Sequence, residues 1–218
     1  MRSIETLTMI KEGRIEELEQ LLKDEIYADA LKNKPGASKR YSAMKKYFTY
    51  IKTEREILQK PCMIEFNGKT HTSFCNSHSL ALTTEPCGSI ELYTDVDRYP
   101  NVARLITFEG HEEKIDFAKV FAAAKAEGYK LKKSEVDGHK FQYLMRYRSV
   151  YFKLGLIDSA FAIIDDGKEA TVYIKKHTVA PITIETSIGV CTVMPMRLTD
   201  EYVQENNCIV IDVESKGD

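Results

Sequence analysis

The side chains with the widest chemical range lie between residues 62 and 87, where three cysteines and two histidines occur: Cys62, His71, Cys75, His78 and Cys87. Thiolates and imidazoles bind structural zinc, but such sites usually pair their cysteines roughly two to four residues apart. No Cys-x-x-Cys pair is present in the sequence. Five cysteines, an odd number, also form no disulfide framework in a chain of 218 residues. We therefore expect free thiols, no bound metal and no cofactor.

Acidic side chains offer little more support for catalysis. Asp95 and Asp97, and likewise Asp165 and Asp166, are short-range pairs of carboxylates in predicted turns. No candidate nucleophile has a candidate base beside it, and the chain has no glycine-rich phosphate-binding loop. We predict that the protein is not an enzyme, and a catalytic site of another kind is the least favoured alternative.

Cationic side chains point instead to binding. Residues 31–60 carry nine lysines and arginines against two glutamates, a local net charge of +7, and a second basic group follows a predicted helix that ends near residue 127. Such clusters bind nucleic-acid phosphates without reading the base sequence. A solvated helix face is an equally good interpretation of the first stretch. The candidate DNA-binding residues are Lys45, Lys46, Lys52, Lys125, Lys132 and Lys133.

The elements that must position these side chains follow from the hydrophobic period. The first 58 residues are predicted to be helical, with Gly13 as an interruption. From Pro61 the period changes to two, and Asn67-Gly68 predicts a tight hairpin. Further helices are predicted at 113–127 and 155–164. The other predicted strands are 79–84, 89–94, 103–108, the alternating run around 143–147, 170–175, 181–186 and 190–196.

Three short segments combine apolar and cationic residues in a specific order. They are Asn76-Ser77-His78-Ser79-Leu80-Ala81-Leu82, Tyr99-Pro100-Asn101-Val102-Ala103-Arg104-Leu105-Ile106 and Val193-Met194-Pro195-Met196-Arg197-Leu198. The third resembles the sequence with which bacterial β sliding clamps end. The second resembles their Tyr-Pro-Asp-x-x-Arg-Leu-Ile segment, and the first resembles their Asp-Ser/Gly-His-Arg-Leu-Ala-Leu segment. These clamps are the ring-shaped processivity subunits (DNA polymerase III beta subunits) of replicative polymerases.

The resemblance covers roughly residues 55–198 and departs from the family in places. Only residues 83–98 separate the first two segments, so half of the family's second domain has no counterpart. Ser79 stands where the family has arginine, and Asn76 and Asn101 stand where it has aspartate. The chain therefore resembles a reduced clamp.

The resemblance implies an α+β fold of clamp-like units, each a helix on a small antiparallel sheet, and the element order of residues 105–198 repeats twice as such units do. The implied divisions are an N-terminal helical region at 1–58, a partial second-domain-like β region at 59–106, a third-domain-like region at 107–198 and an acidic extension at 199–218. The extension contains a β-prone run at 208–213, which we expect to join a sheet edge.

In clamps the three segments form one pocket that captures short peptides of the polymerase and of repair proteins. Carried over by matching position, its walls are Ser77, His78, Leu80, Pro100, Arg104, Leu105, Thr192, Val193, Met194, Pro195, Met196 and Arg197. We expect Leu80, Leu105, Val193, Met194 and Met196 to offer its apolar surface. We further hypothesise that the acidic extension folds over this pocket and regulates access to it.

The resemblance leaves two functions open. The first is a clamp-like processivity protein that binds polymerase or repair peptides and also double-stranded DNA, with self-association into a ring. The alternative is a clamp-derived regulatory module that binds replication proteins without encircling DNA. No apolar run approaches the roughly 18 residues of a membrane span, and the N-terminus lacks a secretory pattern. We therefore expect a cytoplasmic protein without a membrane partner.

Overall fold

Helices occupy the N-terminal part of the chain. The computed structural model describes residues 2–31, 34–50, 55–133, 142–175 and 180–213. Helix α1 is Arg2–Lys11, α2 is Ile15–Leu31 and α3 is Ala37–Tyr50. Gly13 adopts a φ of 69° between α1 and α2, a left-handed value that favours glycine at the end of a helix. The predicted interruption is confirmed.

A three-stranded meander follows. Strand β1 is Cys62–Phe66, β2 is Lys69–Cys75 and β3 is Ser79–Thr83, and both pairings are antiparallel. Asn67 and Gly68 connect β1 to β2 with φ values of 51° and 70°, and a two-residue type I′ turn requires a positive φ at both of its central residues. The hairpin predicted from Asn67-Gly68 is therefore confirmed.

The remaining elements alternate between helix and strand. They are β4 His111–Ile115, α4 Phe117–Ala126, β5 Tyr143–Tyr147, β6 Val150–Lys153, α5 Leu154–Ile164, β7 Ala170–Ile174, β8 Ile182–Thr186, β9 Gly189–Val193, α6 Asp200–Glu205 and β10 Ile209–Val213. Asp116 caps α4 by accepting hydrogen bonds from the N–H groups of Ala118 and Lys119. At the other end of α4, Gly128 has a positive φ of 87°, and the N–H of the next residue, Tyr129, donates to the Ala124 carbonyl. The predicted glycine cap is therefore confirmed.

The strands form two sheets in this α+β fold. The larger has the order β1-β2-β3-β9-β8-β7-β4 and is antiparallel throughout, and the smaller has the order β10-β5-β6 with β10 parallel to β5. Helix α5 packs on β3 and β9 of the larger sheet, contacts β5 and β6 of the smaller one, and is itself packed against α3. The order of elements is compatible with two helix-on-sheet units, whose equivalence remains a prediction, as does the division at residue 106.

Helix α5 is the centre of the main core. Nine of its eleven residues are buried, among them Ile157, Ala160, Phe161 and Ile164, which confirms the predicted buried face and extends it around the helix. Phe161 packs against Phe117 of α4 with ring centroids 4.6 Å apart. A helix that is apolar on almost every side must be surrounded by protein.

Two predicted strands are wrong. Residues 89–94 contain only a single bridge, between Tyr93 and Cys62, and residues 102–105 form a turn of 3-10 helix followed by irregular chain. Residues 111–115, placed partly in a helix by the sequence pattern, form strand β4, and the helix begins at Phe117. The two mispredicted strands lie in the segment that crosses the larger sheet. Packing against the sheet, rather than the hydrophobic period of the sequence, determines the backbone conformation of this segment.

A buried ion pair attaches the N-terminal helices to the rest of the protein. The Arg40 guanidinium on α3 donates two hydrogen bonds of 2.7 Å to the Glu85 carboxylate, and the two side chains are only 3% and 2% exposed. It also donates bonds of 2.9 Å to the carbonyls of Pro35 and Asp165. Arg40 therefore links α3 to the chain after β3 and to the end of α5.

No helix in the described residues is long and apolar enough to cross a bilayer.

Breaking the Arg40–Glu85 pair should destabilise the protein strongly. Arg40→Met leaves a buried carboxylate without its partner, and we expect a loss of about 3–5 kcal/mol in the free energy of unfolding, measured with denaturant. The double variant Arg40→Met/Glu85→Leu should recover most of this loss, since it removes both charges. Lys23→Met, which breaks an exposed pair with Glu19, serves as the control and should cost less than about 1 kcal/mol. Equal losses in the first and last variants would contradict the assignment.

Candidate functional site

Pairing of β3 with β9 brings the first and third predicted wall segments together. Ser79 lies opposite Val193, and Leu80 lies opposite Thr192. The ladder continues beyond the strands, because the N–H of Met194 donates to the carbonyl of His78 at 2.9 Å. Residues far apart in the sequence thus become direct neighbours where β3 begins and β9 ends, in the middle of the larger sheet.

The second wall segment crosses one face of the same strands. Its buried residues Tyr99 and Val102 belong to a cluster with Leu80 and Leu82 of β3 and Val190 of β9. The Tyr99 hydroxyl is 3.2 Å from the Ser73 hydroxyl on β2, and this contact holds the first residue of the segment over the sheet. The first segment therefore contacts both of the others, the second through this cluster and the third through the β3–β9 ladder.

Not every predicted wall residue is accessible. Leu80, Thr192 and Val193 are buried, and Val193 lies in the main core rather than beside Leu80. Leu80 and Val193 cannot offer the apolar surface expected of them, because both faces of these central strands are covered and alternate side chains point to opposite faces. Leu105 and Met194 are accessible, with exposed fractions of 45% and 39%. Ser77, His78, Arg104 and Arg197 are also exposed, and Pro100, Pro195 and Met196 are partly buried.

A buried polar network holds the first segment in place. The Asn76 side-chain oxygen accepts bonds of 2.8 and 2.7 Å from the N–H groups of His78 and Ser79. Its amide nitrogen donates to the hydroxyls of Tyr47 and Ser79, both at 2.8 Å. The Tyr47 hydroxyl in turn donates to the Ser79 carbonyl at 3.0 Å. Burial raises the pKa of Tyr47 well above its ordinary value, so the hydroxyl keeps its proton.

This network depends on the residues at which the chain departs from the clamp family. Ser79 is small enough for Tyr47 of α3 to pack over it, and Asn76 supplies the amide donor that an aspartate lacks. Sequence reasoning missed the role of Tyr47. Its position beside Met44 on the apolar face of α3 was the available signal that it is buried, but nothing in the sequence identifies its partner.

The third segment passes from the larger sheet to the smaller one. The N–H of Met196 donates to the Tyr151 carbonyl on β6 at 2.7 Å, and Met196 and Leu198 pack on a cluster that contains Leu144 and Val203. Residues 199–213 include α6 and β10 beside this cluster, and β10 pairs with β5. The β-prone run therefore does join a sheet edge. The extension contacts the predicted wall at Met196, and whether it regulates access remains a hypothesis.

The predicted DNA-binding lysines that the structure describes lie on α3 and at or after the end of α4. Lys45 and Lys46 are exposed on α3, and the Lys45 ammonium lies 4.2 Å from the centre of the Tyr41 ring. Lys125 is exposed near the end of α4, with Lys132 and Lys133 exposed after it, and Lys52 lies outside the described residues. Arg40, within the basic stretch, contributes no surface charge because it is buried against Glu85.

The cysteines are poorly suited to bind metal or to react. Burial raises the pKa of the Cys75 thiol to about 12 and that of Cys87 to about 11, which keeps both protonated at neutral pH. Across the described ranges, no group of three or more histidine, cysteine, aspartate and glutamate side chains is arranged to hold a metal ion.

Comparisons with known proteins leave the family open, since no family model matches the sequence and no curated protein or solved structure matches the chain. The likeness to sliding clamps rests on the three sequence segments, of which the first contacts both of the others. The contacts of these residues are therefore the basis for a functional proposal.

Asp158 on α5 should make stability depend on pH. Burial raises its pKa above the ordinary 3.8, although the Tyr129 hydroxyl donates to it at 3.0 Å. A raised pKa in the folded state favours the protonated form, so stability is lost as the pH rises through that pKa. We expect Asp158→Asn to become more stable relative to the wild type between pH 3 and pH 7, measured by denaturant unfolding at each pH.

Asp166 provides a control of opposite sign. Partial burial acts to raise its pKa, but hydrogen bonds from Ser187 and from the Lys168 N–H, together with the Lys168 charge, outweigh burial and hold the pKa below 3.8. Its contribution is present at neutral pH and is lost on acidification. Asp166→Asn should therefore be less stable than the wild type at pH 7 and should approach it at low pH. The same trend in both variants would refute these assignments.

Proposed function

We propose that this protein is an accessory protein of DNA replication, similar to the β sliding clamps, that captures short peptides of polymerase or repair proteins. The observation that carries the proposal is the β3–β9 pairing, which joins the first and third clamp-like segments while the second packs over Leu80. The first segment thus has a contact with each of the other two, as the walls of one pocket would require.

The accessible side chains at this location suit a peptide ligand. Met194 and Leu105 offer apolar surface, and methionine repacks readily around different partner side chains. Arg104 and Arg197 are exposed and are able to bind a peptide carbonyl or a carboxylate. Burying one or two leucine or phenylalanine anchors at about 1.5–3 kcal/mol each supports roughly micromolar affinity after the costs of association.

Fluorescence polarisation with a labelled peptide from a polymerase C-terminal tail tests this function. We expect saturable, roughly micromolar binding, and we expect Met194→Ala and Arg104→Ala each to weaken it by about ten-fold, since each removes about 1–2 kcal/mol of contact. Met63→Ala is the matched control, because Met63 on β1 is an exposed methionine outside the three segments. Absence of saturable binding, or an equal effect of Met63→Ala, would leave only the sequence resemblance.

The two candidate forms of this function differ in whether the protein surrounds DNA. A helix that lines a DNA channel must be exposed and should carry cations. Helix α5 instead lies beneath α3, with nine of its residues buried, and its one charged side chain is that of Asp158. This arrangement favours the second form, a clamp-derived module that binds replication proteins without encirclement.

Light scattering with and without a DNA duplex distinguishes the two forms. Under the module hypothesis we expect a monomer in both conditions, and any DNA binding should be weak and should fall steeply with added salt. Lys45→Glu/Lys46→Glu and Lys125→Glu/Lys132→Glu identify which basic group carries that residual binding. A closed oligomer that retains DNA at high salt would instead establish the ring.

A further inference from the structure

Helices α1 and α2 carry an unusual concentration of exposed apolar side chains. Five of the eleven large apolar residues that are exposed in the described part of the chain lie on these two helices: Leu7, Ile10, Ile15, Leu22 and Ile26. Ile26 is 70% exposed and Ile15 is 59% exposed. We call this set the α1–α2 surface. Grouped apolar residues on a soluble protein mark a site of interaction, whereas single exposed ones need no explanation.

The apolar residues of α2 lie on two different sides of the helix. Tyr27 and Leu31 face the body of the protein, where they pack with Ala37 and Tyr41. Ile15, Leu22 and Ile26 are spaced so that they fall within about 40° of one another on the helix circumference, away from that buried side. One apolar side of α2 is thus buried against the rest of the protein, and each of the three apolar residues on the other side is exposed.

Acidic side chains border the exposed stripe. Glu19 and Asp29 lie on its two flanks at helical spacing, and the one lysine near it, Lys23, is 2.7 Å from the Glu19 carboxylate. Residues 6–31 together carry seven carboxylates against three cationic side chains, a net charge of −4. A partner of this surface must therefore combine apolar groups with positive charge.

We propose that the α1–α2 surface docks a basic amphipathic helix of another protein, with apolar side chains along the stripe and lysine or arginine against the acidic flanks. A second copy of this chain fits less well. Its own α1–α2 surface is acidic and repels the first, and its basic helix α3 has Met44 and Tyr47 buried and so lacks an apolar stripe. Anionic lipid and nucleic acid are repelled by the same carboxylates.

Binding of an 18-residue leucine–lysine helical peptide to the full chain tests the proposal by fluorescence polarisation. We expect saturable binding that weakens with salt, and none for a peptide of the same composition scrambled to remove the apolar face. The triple variant Ile15→Gln/Leu22→Gln/Ile26→Gln should weaken binding by at least about ten-fold. Glutamine keeps helix propensity, and circular dichroism verifies that α2 remains folded.

Further variants separate the two parts of the surface. Glu19→Gln/Asp29→Asn should weaken binding a few-fold and reduce its salt dependence, because it removes charge and leaves the stripe intact. Val96→Gln, at an exposed apolar residue outside the surface, should leave binding unchanged. Equal binding of the scrambled peptide, unchanged affinity of the triple variant, or adsorption to anionic vesicles would overturn the proposal. A dimer of the wild type that dissociates in the triple variant would overturn it in favour of a second copy.

Discussion

The pairing of β3 with β9 is the constraint on which the rest of the structure depends. Without it the larger sheet divides into the β1-β2-β3 meander and the β9-β8-β7-β4 group, and each part exposes an apolar strand edge. Register is fixed by burial on both faces, since Leu80 must meet one cluster while Ala81 and Val193 meet another. A slip of one residue would exchange these sets. The geometry of the candidate site is thus a by-product of what holds the sheet together.

Helix α3 makes the N-terminal region part of this arrangement rather than an appendage. Two buried polar groups of α3 join it to the rest of the protein: Arg40 binds Glu85, and Tyr47 joins the Asn76 and Ser79 network. Buried polar contacts add little net stability when complete, but a misplaced helix leaves charges and hydroxyls unpaired. They therefore select one docking position for α3. The same position covers α5 and leaves little of that helix exposed to solvent.

Local signals in the sequence predict much of this fold. Asn67-Gly68 and Gly128 have conformations that few other residues adopt, so their turns and caps follow from residue type alone. The apolar period likewise identifies α5 and most strands. Strands were wrongly predicted between residues 89 and 109, because packing across the sheet determines the backbone there. Leu80 and Val193 were wrongly predicted to be accessible, because the sequence of a short strand does not show whether one or both of its faces are buried. Arg40 and Glu85 lie far apart in the sequence, and neither belongs to a recognisable motif, so no local pattern predicts that they pair.

The parallel strand β10 has a consequence for the order of folding. Strands β5 and β6 form a local hairpin, but α5, β7, β8, β9 and α6 separate β10 from them in the chain. Closing so long a connection costs entropy before any ladder bond is gained, so we expect Ile211 to join the core late. Until then β5 has an unpaired edge on the nascent protein. The period between synthesis and docking of β10 is accordingly when this chain is most exposed to mispairing with another strand.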